Sequence, residues 1–224
     1  MRAAYAIFRK DLLLELRGKE VVITLTVFSF LVLTLFSFST VPGSTAPREM
    51  APGILWITFL FAGILGLGRA FDRERENGCF TGLLLAPCDR MQVYWGKCLS
   101  TLVLLMIFQA ILWPIFGILY GYSPIKGAGV AWAGIVLGDI GFVALGVILS
   151  AVTIHARGRE IILPLLLLPL SLPVLVGGVR VITLALGGGG GDGSLALTWI
   201  GRLAAFDVIF LVLGSVLFPL VVEE

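Results

Sequence analysis

Four charged residues stand inside long apolar stretches of this sequence, where a charge is costly and therefore informative: Asp139, Arg180, Arg202 and Asp207. In a membrane span, such residues pair with one another or line a polar path for an ion or a substrate. Asp207 follows Arg202 by about a turn and a half of helix and is a candidate partner for either arginine. The four residues could form internal salt bridges that fix helix packing, or they could line a translocation path.

A second group of residues lies in FDRERENG, residues 71–78, where five consecutive charged residues interrupt an otherwise apolar chain. Phe71, Glu74 and Gly78 are spaced i, i+3 and i+7, so they share one face of a helix. The phenyl ring can fill a pocket, the carboxylate can accept a charge-assisted hydrogen bond, and the glycine permits close backbone approach. The spacing favours a docking surface for another protein, and a solvated connector is the alternative.

The sequence lacks the residue patterns of common enzymes and metal sites. It has one histidine, His155, and three cysteines without CxxC spacing. GxxxxGK[ST] and HExxH patterns do not occur, and the glycine run at 187–191 lacks the lysine of a phosphate-binding loop. No convincing haem axial ligands stand out. We therefore expect a chain that is not an enzyme and that binds no metal, nucleotide or cofactor of its own.

The elements that must hold these residues are apolar helices. The chain is 58% hydrophobic and 13% charged, with a mean hydropathy of +1.05. A helix needs about 20 apolar residues to cross a bilayer, and six runs satisfy this, near 21–41, 51–71, 98–120, 128–151, 161–186 and 199–222. The sequence predicts an all-α integral membrane protein with six transmembrane helices in a single domain spanning residues 1–224.

The fifth run contains Pro164, Pro169 and Pro173, a density of proline that predicts a kinked or broken helix. Such a helix could flex between conformations or hold a fixed bend. Before the third run, Asp89 and Gln92 fit a capping box that opens the helix leading into that span.

Basic residues predict the orientation in the membrane. Five precede the first run, five lie at or between the second and third, and two lie between the fourth and fifth. The opposite side has only Arg48 and Lys126. This imbalance places both termini and the 72–97 segment in the cytoplasm.

The N-terminal segment, residues 1–20, has its own amphipathic pattern. Tyr5, Phe8, Leu12 and Leu16 fall on one helical face, and most basic residues fall off it. The pattern predicts an interfacial helix before the first span, with a merely basic leader as the alternative.

Two sequence regions resemble a known family. FDRERENG fits F-x-x-E-x-x-x-G and is followed by GLLLAP, while residues 150–178 read SAVTIHARGREIILPLLLLPLSLPVLVGG. Together they resemble the permease subunit of the cytochrome c maturation ABC transporter, the haem exporter protein B family. The resemblance covers nearly the whole chain and implies an ABC-2-type permease fold. It also implies that Phe71, Glu74 and Gly78, in a cytoplasmic coupling segment, contact the ATPase subunit.

The resemblance implies a non-catalytic subunit in the bacterial inner membrane that serves c-type cytochrome biogenesis. A separate P-loop ATPase would hold the ATP, and its hydrolysis would drive haem translocation or release of a haem-loaded chaperone. Expected partners are that ATPase, a second copy of this chain, other haem-handling maturation subunits, the chaperone and lipid, but no nucleic acid. The alternatives are an ABC-2 permease for another lipid or drug, or a secondary transporter using Asp139 and Asp207 as proton sites.

Overall fold

The computed structural model describes residues 2–39, 46–68, 89–123, 125, 127–154, 156, 158–187 and 193–222. Regular structure in these ranges is entirely α-helical, which confirms the predicted fold class. The eight helices are α1 (Arg2–Gly18), α2 (Glu20–Phe38), α3 (Ala46–Gly68), α4 (Arg90–Tyr120), α5 (Ala128–Val152), α6 (Arg159–Leu170), α7 (Leu172–Leu186) and α8 (Gly193–Val221).

Five helices are long and apolar enough to cross a membrane: α2, α4, α5, and most of α3 and α8. The pair α6 and α7 passes the same test together, and the two helices are bent by 57° relative to each other. If this pair is one broken span, the described residues contain six spans, which is the number that the apolar runs predict.

Helix α5 is the centre of the bundle, in contact with α3, α4, α7 and α8. From Gly141 to Ile148 every residue is buried, so this part of the helix has no exposed face. Its glycines make this possible: the ring of Trp56 packs against Gly138, and the side chain of Leu67 packs against Gly146. Small residues at such contacts let helices approach closely where lipid provides no hydrophobic driving force.

Helix α4 begins at Arg90, earlier than the apolar run near 98–120 suggests. The predicted cap is present, because Asp89 Oδ1 accepts a hydrogen bond of 3.0 Å from the backbone N–H of Met91. The first turns of α4 are polar in sequence but pack against α1. The helix therefore begins before its apolar part does. Residues 69–88, which include the predicted docking residues Phe71, Glu74 and Gly78, lie outside the described residues.

Helix α1 forms as predicted and is fixed to α4 rather than free of the bundle. Ile7 packs against Gly96, and Lys97 Nζ lies 3.0 Å from Asp11 Oδ2. Tyr5, on the predicted apolar face, is exposed. The helix thus presents one side to α4 and leaves the side of Tyr5 exposed. Its position at the membrane interface stays a prediction.

The bend between α6 and α7 lies at Ser171, with Pro169 before it and Pro173 after it; Pro164 lies inside α6. Ser171 is buried, and its hydroxyl donates to the carbonyl of Leu168 at 3.0 Å. A proline has no N–H to donate and its ring crowds the preceding turn, so closely spaced prolines favour a break at this point.

Candidate functional site

The centre of the bundle contains a group of buried polar side chains, which we call the carboxyl cluster: Gln109 of α4, Asp139 of α5 and Asp207 of α8. Their exposed fractions are 1%, 3% and 4%. Each belongs to a different helix, so the cluster forms only when the three helices pack together. Polar side chains this deep in a membrane protein are rare and typically have a structural or transport role.

One hydrogen bond orients the cluster. Gln109 Nε2 donates to Asp139 Oδ1 at 3.0 Å. Gln109 Oε1 and Asp139 Oδ2 are buried without a hydrogen-bond partner among the described residues. Because a buried polar atom without a partner is costly, this arrangement has capacity for a further ligand, a proton or a water molecule.

Asp207 reaches the cluster through a gap that Gly141 leaves in α5. A Cβ atom on Gly141 would lie 2.5 Å from Asp207 Oδ1 and 2.8 Å from a ring carbon of Phe206. The carboxyl groups of Asp207 and Asp139 are close enough to interact electrostatically. The backbone of Gly141 lies beside the Asp207 carboxyl group, but neither oxygen of Asp207 makes a contact with hydrogen-bond geometry within the described ranges.

The pairing of Asp207 with Arg180 or Arg202, considered from the sequence, is not formed in the described part of the chain. Both arginines are exposed, whereas Asp207 is buried. A separation of five residues turns a helix by about 140°, so Arg202 and Asp207 face different directions. The guanidinium of Arg202 instead lies over the ring of Trp199, 4.5 Å from its centroid.

A small cavity adjoins the cluster at the bend between α6 and α7. Trp56, Asp139 and Ser171 supply its polar lining, and apolar side chains including Phe59 and Phe142 enclose it. Its volume of about 10 Å³ suits one water molecule. The indole N–H of Trp56 has no acceptor among the described residues. Three residues with polar side chains therefore line one small space where the span is broken.

A second, larger cavity lies between α7 and α8. It measures about 350 Å³ and is lined mainly by apolar side chains, among them Leu172, Leu203 and Phe206. Trp199 and Arg202 are its polar border. This cavity can accept an apolar group that has an anionic end.

Sequence reasoning found both carboxylates but missed Gln109, Trp56 and Ser171. Gln109 is a polar residue in an apolar run, as Asp139 is, so the same signal was available for it. Trp56 and Ser171 give no comparable signal, because they reach the cluster only through helix packing. Within the described ranges, no group of three or more histidine, cysteine or acidic residues could hold a metal ion.

An all-α bundle of five or six apolar spans with carboxyl groups at its centre is a multi-pass integral membrane protein. Residues 2–223 match the family model described as CcmB protein, and the chain belongs to this family. The resemblance found in the sequence is thereby confirmed.

Several relatives share the name heme exporter protein B. The protein from Paracoccus denitrificans is 30% identical over 79% of this chain and 79% of its own length. The protein from Pseudomonas aeruginosa is 27% identical over 80% of this chain and 79% of its own. The protein from Escherichia coli K12 is 28% identical over 77% of this chain and 78% of its own.

Proposed function

We propose that this chain is the membrane subunit of a haem exporter that serves c-type cytochrome biogenesis in the bacterial inner membrane. The observation that carries the proposal is the family match over residues 2–223, together with relatives named heme exporter protein B. The all-α, multi-pass architecture supports it, because a permease must provide helices that line or gate a path across the bilayer.

Energy for export would come from a separate subunit, because the sequence contains no P-loop. We place the docking surface of this ATPase at Phe71, Glu74 and Gly78, with both termini on the same cytoplasmic side. This chain would then be a non-catalytic permease subunit, with ATP held by its partner.

The coupling route that we propose starts in the 72–97 segment and continues into α4. Asp89 caps the first turn of α4, and the contact of Asp11 with Lys97 fixes α1 to it. The helix then continues to Gln109, which bonds to Asp139. A displacement of the coupling segment would in this way reach the carboxyl cluster through one continuous helix.

The working assembly in this proposal contains two copies of the chain with their ATPases, further haem-handling subunits and a haem chaperone. Haem is the substrate of the assembly. The ATP-driven motion either carries haem across the membrane or releases the haem-loaded chaperone.

Deletion of the gene in the source organism tests the function. We expect c-type cytochromes without covalently attached haem, together with normal b-type cytochromes, which show that haem synthesis is intact. Expression of the wild-type chain should restore the c-type cytochromes, and purification should recover a P-loop ATPase with it. Unchanged c-type cytochromes in the deletion strain would contradict the proposal. Transport of another compound driven by an ion gradient alone would identify a secondary transporter instead.

A further inference from the structure

We propose that Asp139 and Asp207 form a proton-binding site at the centre of the bundle, where a bound proton makes the contact between α5 and α8 possible. The inference goes beyond haem export, because it assigns a ligand to residues in the membrane core. It stands on the burial of the two carboxyl groups, on the absence of compensating charge around them, and on the geometry of Gly141.

The two carboxyl groups would carry two negative charges if both were ionised. Asp139 and Asp207 have exposed fractions of only 3% and 4%. Buried charges are tolerated when a charge of opposite sign or a full set of hydrogen bonds compensates them. Here one donor, Gln109 Nε2, serves one of the four carboxylate oxygens. The other three have no partner with hydrogen-bond geometry in the described part of the chain, although the backbone of Gly141 lies beside Asp207.

The helices packed around the pair supply no compensating cation among the described residues. Helix α4 contributes the neutral amide of Gln109, and α3 contributes Trp56, whose indole is neutral. Helix α7 contributes the hydroxyl of Ser171 at its N-terminal boundary, and its Arg180 is exposed. On α6, Arg159 donates to the Gly68 carbonyl and Glu160 is exposed. On α8 the nearest charged side chain in sequence is Arg202, and its guanidinium lies over Trp199 instead.

A proton fits this ligand set better than a metal ion does. Hard cations such as Mg²⁺ and Ca²⁺ take six or more oxygen ligands. The cluster offers four unpartnered oxygens: Gln109 Oε1, Asp139 Oδ2 and both carboxylate oxygens of Asp207. A proton needs only a carboxyl oxygen to bind and one acceptor to receive its hydrogen bond. The cluster supplies both.

The position of Asp207 explains why the proton matters for packing. Gly141, two residues after Asp139 on α5, allows the Asp207 carboxyl group to lie directly against this helix. Two like charges held in such a place repel each other, whereas a neutral or singly charged pair can remain in contact. Loss of the proton should therefore loosen α8 from α5.

The cavity at the bend supplies a route by which the proton can exchange. It contains Asp139 and Ser171 in its lining and has room for about one water molecule. A water molecule held among Trp56, Ser171 and Asp139 would connect the pair to the broken part of the span. Movement between α6 and α7 would open or close this connection.

Labelling with dicyclohexylcarbodiimide tests the site in the full-length protein within native membranes. The carboxyl proton passes to a carbodiimide nitrogen, and the carboxyl oxygen attacks the central carbon. The acyl group then migrates to nitrogen, which leaves a stable N-acylurea that mass spectrometry locates. We expect adducts on Asp139 or Asp207 at neutral pH and their loss as the pH rises, because ionised carboxylates have no proton to donate.

Asp11 is the matched control, because its carboxylate lies 3.0 Å from the Lys97 ammonium, and we expect it to remain unlabelled. Infrared spectroscopy covers the case in which the reagent does not reach the site. The band of an un-ionised carboxyl group should be present in the wild type and absent in the Asp139→Asn/Asp207→Asn double variant. Absence of this band from the wild type would overturn the proposal. Protection from labelling by Na⁺, K⁺ or Mg²⁺ would also overturn it and would identify a metal ion as the ligand.

Discussion

The ammonium group of Lys97 lies 3.0 Å from the Asp11 carboxylate, and the Lys97 side chain is only 2% exposed. This contact joins the N-terminal helix α1 to the first turns of α4. Helix α4 continues from Lys97 to Gln109, which belongs to the carboxyl cluster. The Lys97–Asp11 contact therefore attaches α1 to the same helix that reaches the centre of the bundle. The roles proposed for these elements lead to four predictions.

Removal of the Asp11 carboxylate should weaken the attachment of α1. We expect Asp11→Ala to lower the free energy of unfolding by about 2 kcal/mol, because the buried Lys97 ammonium loses the opposite charge of its ion pair. Lys10 is the matched control: it contacts the same carboxylate at 2.9 Å but is 46% exposed. Lys10→Ala should cost less than about 1 kcal/mol. Thermal unfolding in lipid nanodiscs measures both, and equal losses would show that burial of Lys97 is unimportant.

A side chain at Gly141 should separate α8 from α5. In Gly141→Ala, the new methyl group would meet Asp207 Oδ1 and the Phe206 ring, at 2.5 and 2.8 Å before any relaxation. We expect a loss of about 1–3 kcal/mol, as for other overpacked cores. Gly129 lies on the same helix with nothing within 4 Å of its Cβ position, so Gly129→Ala should leave the unfolding temperature unchanged or higher. A stable Gly141→Ala protein would refute the close contact.

The hydrogen bond from Gln109 should matter more than the charge on Asp139. Gln109→Leu leaves Asp139 Oδ1 without its donor and should destabilise the protein by about 1–3 kcal/mol. Asp139→Asn keeps an acceptor oxygen for Gln109 Nε2 and adds no charge, so it should be close to neutral in stability. If Asp139→Asn destabilises the protein as much as Gln109→Leu does, the cluster requires an ionised carboxylate and the neutral pair is refuted.

ATPase docking should depend on one face of the segment after α3. Glu74→Ala and Gly78→Leu should both abolish co-purification of the ATPase, because the first removes a carboxylate and the second blocks close approach. Glu76→Ala changes the same residue type in the same segment, about 200° around a helix from Glu74, and should leave the yield unchanged. Normal recovery of the ATPase from the Glu74 and Gly78 variants would refute the docking surface, provided that membrane abundance matches the wild type.

Hydropathy alone predicted the bounds of a helix correctly where the whole helix is apolar. The fourth run was predicted near 128–151, and α5 is Ala128–Val152. Hydropathy did not predict the start of α4, where Tyr94 and Lys97 precede the apolar run and are nevertheless helical and buried. Their partners belong to distant parts of the chain, because Tyr94 donates to the Ala144 carbonyl and Lys97 contacts Asp11.

The candidate site shows the same limit. The sequence identifies Asp139 and Asp207 as unusual, because a charge in an apolar run is visible without a structure. Their relationship is not visible, since it depends on the rotation of α8 against α5. That rotation brings Asp207 to Gly141 and leaves Arg202 beside Trp199. Pairing by proximity in sequence therefore suggested an arginine, whereas the fold supplies a second carboxyl group.

The bend at Ser171 divides the span into two arms, α6 and α7, that are held in different ways. The arm α6 is anchored at its start, where buried Arg159 donates to the Gly68 carbonyl at 2.8 Å and so ties it to the end of α3. Both α6 and α7 contact α3 and α5, but of the two it is α7 that packs extensively on α8, the helix that carries Asp207. Prolines on both sides of the joint reduce the number of backbone hydrogen bonds that resist a change of angle. A rotation of α7 about Ser171 can therefore follow a displacement of α8 while α6 stays in place.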